Sequence, residues 1–194
     1  ATFDVVDNII GMLAINVTVT DVGQNEAFDS ELITIYDGTD PYIQHTNLEQ
    51  LGQQTDGIRE YSTHTVNFEV ADNIELSQVG FLLYNEYVDD EQICMSDSEG
   101  LALEQYISIP DGNSAYASNY SIDVPAGATD DGSLCMIVED QNGNRAQEFT
   151  RFEIIDNTPP SVIVDGLTAG QSLYIGELTS AALDAQDNVG ITNV

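Results

Sequence analysis

Residues 1 to 41 can be laid on residues 120 to 160 without a gap, and no other property of the chain restricts its fold so sharply. The offset of 119 positions, from Asp37 to Asp156, carries Asp37-Gly38-Thr39-Asp40-Pro41 onto Asp156-Asn157-Thr158-Pro159-Pro160. It also matches Asp4-Val5 with Asp123-Val124, Val19 with Val138, Asp21 with Asp140, Asn25 with Asn144 and Ala27 with Ala146. Apolar positions follow the same shift: Ile15, Val17 and Val19 fall on Leu134, Met136 and Val138, and Ile33 and Ile35 on Phe152 and Ile154. Near the far end Ala181, Leu183, Ala185, Asp187 and Asn188 repeat Val66, Phe68, Val70, Asp72 and Asn73 at a shift of 115, from Asp72 to Asp187. This periodicity predicts one complete unit over residues 42–160, the tail of a preceding unit over 1–41, and the head of a following unit over 161–194. It also predicts that the sequence is cut from a longer array. Flanks this short bury too little surface to fold alone, so they are expected to draw strands from neighbouring copies.

Within the complete unit the apolar residues alternate. Val66, Phe68 and Val70 interleave with Thr65, Asn67 and Glu69, the period-two pattern of a half-buried strand. Further strands are expected over Tyr42 to Gln44, Val79 to Tyr84, Ile93 to Met95, Leu103 to Ile109, Tyr120 to Val124, Leu134 to Glu139 and Phe149 to Ile155. The stretch 45–62 reads as a polar connection with weak structure. Turn pairs such as Asp72-Asn73, and the Asp140-Gln141-Asn142-Gly143-Asn144 hairpin, punctuate the strands. About seven short strands with turn signals every 8 to 12 residues predict an all-β fold of tandem immunoglobulin-like β-sandwich units, one complete and two partial.

Three motifs recur in a fixed order: Asp156 to Pro160 (DNTPP) ahead of a strand, Ala185 to Ile191 (AQDNVGI), and Asp140 to Ala146 (DQNGNRA). In this the chain resembles the bacterial immunoglobulin-like tandem repeats of large extracellular adhesins and surface fibres. The resemblance covers essentially the whole sequence and implies an extracellular or cell-surface filament. Two departures stand out: Asp40 replaces the first proline of the earlier linker, and Asp21 to Ala27 (DVGQNEA) keeps the Asp, Asn and Ala but moves the glycine.

Charge narrows the function further. Thirty-four acidic residues face three basic ones, Arg59, Arg145 and Arg151, giving a net charge of −31 with no lysine. Such a surface repels nucleic acid and anionic membranes, and the missing lysine excludes Lys–Asn isopeptide staples within these residues. No run of eighteen apolar residues is present to span a membrane. The two cysteines, Cys94 and Cys135, are expected to form one disulfide in a secreted, repeat-built chain, with Cys135 on the outer face of its strand. A Cxx-Cys redox spacing is absent. Gly-rich phosphate loops, a GxSxG elbow and HExxH are absent too, and His45 and His64 have no second ligand nearby, so the chain is not expected to be an enzyme.

Topology then gathers carboxylates. In an immunoglobulin sandwich the loops after the second and sixth strands lie at one end, where the chain also enters from the preceding unit. That end collects Asp37 and Asp40 from the linker, Asp72 from one loop, and Asp140 with Asn144 from the other. The next junction would use Asp156 and Asp187, and the previous one Asp21 and Asn25. Carboxylates brought this close need a counter-ion, and Ca2+ suits them best, taking six to eight oxygen ligands and being abundant outside cells. Mg2+ demands a stricter octahedron. Asp and Asn are also ordinary turn formers through bonds to their own backbone. The runs Asp89-Asp90-Glu91, Asp97-Ser98-Glu99 and Asp130-Asp131 read as solvated loops.

Two functions follow as expectations. In the first, the chain is a structural stalk or fibre segment stiffened by Ca2+ at acidic inter-unit junctions, its partners being neighbouring units of the same chain or of a homopolymer. In the alternative, the unit is a carbohydrate- or protein-binding module of an adhesin or secreted enzyme. That reading requires tyrosines such as Tyr42, Tyr61, Tyr84 and Tyr87 to gather on one exposed face.

Overall fold

The computed structural model describes residues 10–54, 57–85, 94–95, 100–125, 131–167, 170, 172, 174–176, 180–188 and 190–192. Alternation written into the sequence becomes two facing sheets. One has three antiparallel strands in the order β3-β5-β8: β3 (Tyr42–Thr46), β5 (Thr63–Ala71) and β8 (Ala115–Asp123). The other has five, in the order β4-β10-β9-β6-β7: β4 (Ile58–Arg59), β10 (Arg145–Ile155), β9 (Asp131–Asp140), β6 (Leu76–Tyr84) and β7 (Leu101–Ser108). All neighbours in this second sheet are antiparallel except β4 and β10, which run parallel through Ile154–Ile58 and Ile155–Arg59.

The core fills the space between the sheets. Val66, Phe68 and Val70 of β5 and Ile122 of β8 meet Val79, Phe81 and Leu83 of β6, Leu134, Met136 and Val138 of β9, and Phe152 and Ile154 of β10. Phe68 sits 5.6 Å from Phe81, ring centre to ring centre, and Phe81 stacks on Tyr120 at 4.9 Å. Burying one such aromatic side chain stabilises the fold by about 1.5–3 kcal/mol.

The stretch 45–62 is not the weakly structured connection its polarity suggested. It carries a single helical turn, α1 (Leu48–Gly52), and then β4. Leu48 and Leu51, three residues apart on one face, are both buried and close the side of the sandwich beside β10. Gly52 allows this approach: a β-carbon there would lie 2.8 Å from the Arg151 carbonyl oxygen.

Cys135 also differs from expectation. It does point away from Leu134, Met136 and Val138, yet it is fully buried, because Cys94 and Leu101 pack on that face. Cys94 and Cys135 form a disulfide with their Cα atoms 5.4 Å apart. Leu82, Tyr84 and Ile137 complete this second small core, and the segment is further held by Tyr84 Oη donating to the Met95 carbonyl (3.0 Å) and Arg145 Nη2 donating to that of Cys94 (3.0 Å). Cys94 and Met95 are not in a strand, and Ile93 lies outside the described residues.

Two hairpins flank the sandwich. β1 (Gly11–Thr20) pairs with β2 (Glu26–Ile35), and β11 (Ser161–Asp165) with β12 (Ala182–Gln186). Their registers repeat those of the sandwich. Val19–Ala27 in β1/β2 becomes Val138–Ala146 in β9/β10 under a shift of 119 on both strands, and Val17–Asp29 becomes Met136–Glu148. Tyr42–Ala71 in β3/β5 becomes Ser161–Gln186 in β11/β12 under shifts of 119 and 115. In β9/β10 the apolar row lies in the core, whereas its counterparts Val17 and Val19 are more than half exposed.

Candidate metal centre

Three loops meet at the end of the sandwich that receives β2. The linker after β2 brings Asp37, the turn between β5 and β6 brings Asp72, and the β9–β10 hairpin brings Asp140. One carboxylate oxygen from each lies within 4.8 Å of the other two, and all three residues are buried, at 8, 8 and 3% exposure.

Each loop holds its carboxylate by local bonds. Asp72 Oδ2 accepts from the backbone N–H groups of Ile74 and Glu75, both at 2.9 Å, the usual way an Asp closes a turn. Asp140 Oδ1 accepts from the N–H groups of Asn142 (2.8 Å) and Asn144 (2.7 Å), and its Oδ2 from Asn144 Nδ2 (2.7 Å). Gly143, at φ +88°, supplies the left-handed residue that the hairpin requires. Asp37 Oδ1 accepts from the Thr39 N–H (3.0 Å) and Asn73 Nδ2 (3.3 Å). The linker and the hairpin are joined directly, because Asn144 Nδ2 also donates to the Asp37 carbonyl at 3.1 Å.

These bonds leave two oxygens over. Asp37 Oδ2 and Asp72 Oδ1 are buried and accept no hydrogen bond from the protein. Leaving a buried acceptor unsatisfied costs about 1–3 kcal/mol, more when it is charged. At 4.8 Å and an effective dielectric near 20, two ionised carboxylates repel by about 3.5 kcal/mol. A cation between them removes both costs. Calcium–oxygen distances of about 2.3–2.6 Å let two ligands stand up to about 5 Å apart across the ion, so three oxygens within 4.8 Å of one another fit one calcium sphere.

The other expected ligands are placed differently. Asp40 is exposed and outside the cluster. Asn144 acts as a clasp between Asp37 and Asp140. Asp156 is exposed and accepts from the Thr158 N–H at 2.8 Å, the counterpart of the Asp37–Thr39 bond. Asp187 is half-buried and accepts from the Gly190 N–H at 3.0 Å, the counterpart of Asp72 with Glu75. Asp21 and Asn25 are exposed and bonded to each other, and that side-chain bond first of all lowers the Asp21 pKa. Among the described residues, Asp37, Asp72 and Asp140 form the one such group. Residues 89–91, 97–99 and 130 of the acidic runs, and Val189 of the third motif, lie outside the described residues.

The three described tyrosines of the expected set do not share a face. Tyr42 is half exposed on β3, Tyr61 is exposed at the opposite end after β4, Tyr84 is buried in the second core, and Tyr87 lies outside the described residues. His64 is bonded to Ser62 Oγ (2.8 Å), and burial lowers its pKa. Among the described residues no helix is long and apolar enough to cross a membrane.

Sequence reasoning missed Glu60. It is 1% exposed, at the end of the sandwich where β10 leads into the second linker. Its side-chain partners Asn157, Thr158 and Asn188 are 97 to 128 positions away in sequence, and no local spacing marks those bonds.

Compared with known families, residues 22–155 match a domain of unknown function, DUF4625. All three clustered carboxylates and the linker between β2 and β3 fall inside that match. No curated protein matches the chain.

Proposed function

The chain belongs to the DUF4625 family, and with that as premise we propose that it is a structural segment of an extracellular stalk or filament, stiffened by Ca2+ at an acidic junction. The observation that carries this reading is the convergence of Asp37, Asp72 and Asp140, buried, from three separate loops, with two of their oxygens accepting no bond from the protein. A turn-forming role accounts for each carboxylate singly but not for their meeting.

In this reading the sandwich over 42–160 is one complete immunoglobulin-like unit, and 1–41 and 161–194 are parts of the units before and after it. The repeated hairpin registers support that division. The Cys94–Cys135 disulfide supports an oxidising, extracellular setting. Mechanically, Asp37 belongs to the linker while Asp72 and Asp140 belong to the sandwich. An ion shared by the three fixes the linker to the unit it enters, and a hinge becomes a strut. Of the tyrosines the binding-module alternative invokes, Tyr84 is buried, and Tyr42 and Tyr61 stand at opposite ends of the sandwich.

Thermal unfolding of residues 1–194 with calcium and with a chelator tests the reading. At a hundredfold excess over its dissociation constant, Ca2+ should stabilise the sandwich by about 2.7 kcal/mol. Small-angle scattering should report a longer, stiffer particle. A chain indifferent to the ion in both measurements would sink the proposal.

A further inference from the structure

The second linker is gripped from below by a carboxylate that needs no ion to do so. Glu60 Oε2 accepts from Thr158 Oγ1 at 2.9 Å and from the Asn157 N–H at 3.3 Å, and its Oε1 from Asn188 Nδ2 at 2.8 Å. All three donors lie beyond the sandwich: two in the linker and one just past β12. A carboxylate taken out of water is tolerated when hydrogen bonds replace its hydration, and these three supply donors to both oxygens.

The base of the grip is rigid. Glu60 N–H donates to the Ile155 carbonyl (3.1 Å), extending the parallel β4–β10 pairing by one bond. The next residue, Tyr61, sits at φ +58° with its N–H on the Val124 carbonyl at 2.9 Å. A non-glycine residue in the left-handed region is strained and persists where its surroundings dictate it. Here that turn aims Glu60 at the linker while the chain leaves β4 for β5.

We propose that Glu60 is a calcium-independent anchor that sets the direction in which the chain leaves the sandwich, holding the linker Asn157–Thr158 and the Asn188 turn to its base. The inference shares with the stalk reading the premise that residues 161–194 head a following unit. Periodicity sharpens it. Asn188 is the counterpart of Asn73, which donates to Asp37 in the first junction. The same amide position therefore ties to a linker carboxylate at one end of the sandwich and to a sandwich carboxylate at the other.

The test uses residues 1–194 in chelator, so that the first junction is unliganded throughout. Hydrogen exchange at the Asn157 amide and small-angle scattering are compared among wild type, Glu60→Ala, and the double variant Thr158→Val/Asn188→Ala, which leaves the sandwich untouched. Exchange at Asn157 about tenfold faster in Glu60→Ala, with a broader scattering distribution in both variants, is the expected result. If Glu60→Ala does not fold, the scattering of the double variant decides. Unchanged exchange in a folded Glu60→Ala, or an unchanged profile in the double variant, overturns the anchor. Failure of the stalk reading registers elsewhere, as wild-type protein that ignores calcium.

Discussion

Replacing Asp72 by Asn should change sign with calcium, and that reversal is the sharpest consequence of the junction. Asp72 Oδ2 receives the turn-closing bonds from Ile74 and Glu75, and an amide oxygen can keep both. The change falls on Oδ1, which is buried and accepts nothing from the protein, in a residue with one carboxylate oxygen within 4.8 Å of those of Asp37 and Asp140. An amide nitrogen there removes one charge and offers a donor toward the Asp37 carboxylate. Two repulsive pairs, each about 3.5 kcal/mol at 4.8 Å, sum to about 7 kcal/mol before any relaxation. Relaxation and solvent reduce this, so a gain of about 1–2 kcal/mol is expected in chelator. At roughly 4 °C per kcal/mol for a domain of this size, Tm should rise by about 4–8 °C. In calcium the wild type gains about 2.7 kcal/mol that the variant, short of a ligand, forgoes. Thermal unfolding of both proteins in both conditions gives the four numbers needed. A variant that is less stable by the same amount with and without calcium would show that Asp72 closes a turn and nothing more.

Other consequences are simpler. Breaking the Cys94–Cys135 bond, by reduction or by Cys94→Ser with Cys135→Ser, opens a loop of 41 residues and should cost about 4 kcal/mol in the chain-entropy model, read as a lower denaturant midpoint. Glu148 is half-buried on β10, and burial first, then the charge of Glu49 on α1, raises its pKa, with His45 pulling the other way. An acid held above its unfolded pKa contributes stability that is complete below that unfolded value and is lost as pH rises through the folded one. Glu148→Gln should therefore match the wild type in acid and become the more stable protein toward neutral pH, in denaturant titrations at both ends. An advantage that shrinks as pH rises would contradict the cause assigned to the shift.

Much of the fold is legible in the sequence because two periods reinforce each other. Alternation placed Val66, Phe68 and Val70 inward, and the 119-residue shift marked the hairpins whose registers repeat. What was not legible depended on contacts that neither period encodes. Leu48 and Leu51 occur among glutamines, glutamate and asparagine, too few to mark a helix until β10 lies beside them. Cys135 sits on the face that alternation assigns to solvent, and burying it required a covering segment tethered through Cys94, Tyr84 and Arg145. Glu60 was hidden because its three donors are supplied by a linker and a turn about a hundred positions away.

The repeat also supplies an internal control for the metal centre. Asp21 and Asn25 reproduce the Asp140–Asn144 clasp: the Asp N–H donates to the Asn carbonyl, the Asn N–H to one carboxylate oxygen, and the Asn side-chain amide to the other. Even the left-handed residue recurs, as Gln24 at φ +66° where the second hairpin has Gly143, so the displaced glycine did not displace the turn. Yet the first hairpin is exposed and joins no acidic cluster among the described residues. The clasp is closed by bonds between the Asp and Asn of its own hairpin, and its geometry does not argue for a cation. What Asp140 adds to the clasp is company: two further buried carboxylates, delivered by a linker and a turn, each with an oxygen the protein leaves without a donor. The case for calcium rests on that convergence, and in this chain a bound ion should protect the second hairpin's amides from exchange while leaving those of the first unchanged.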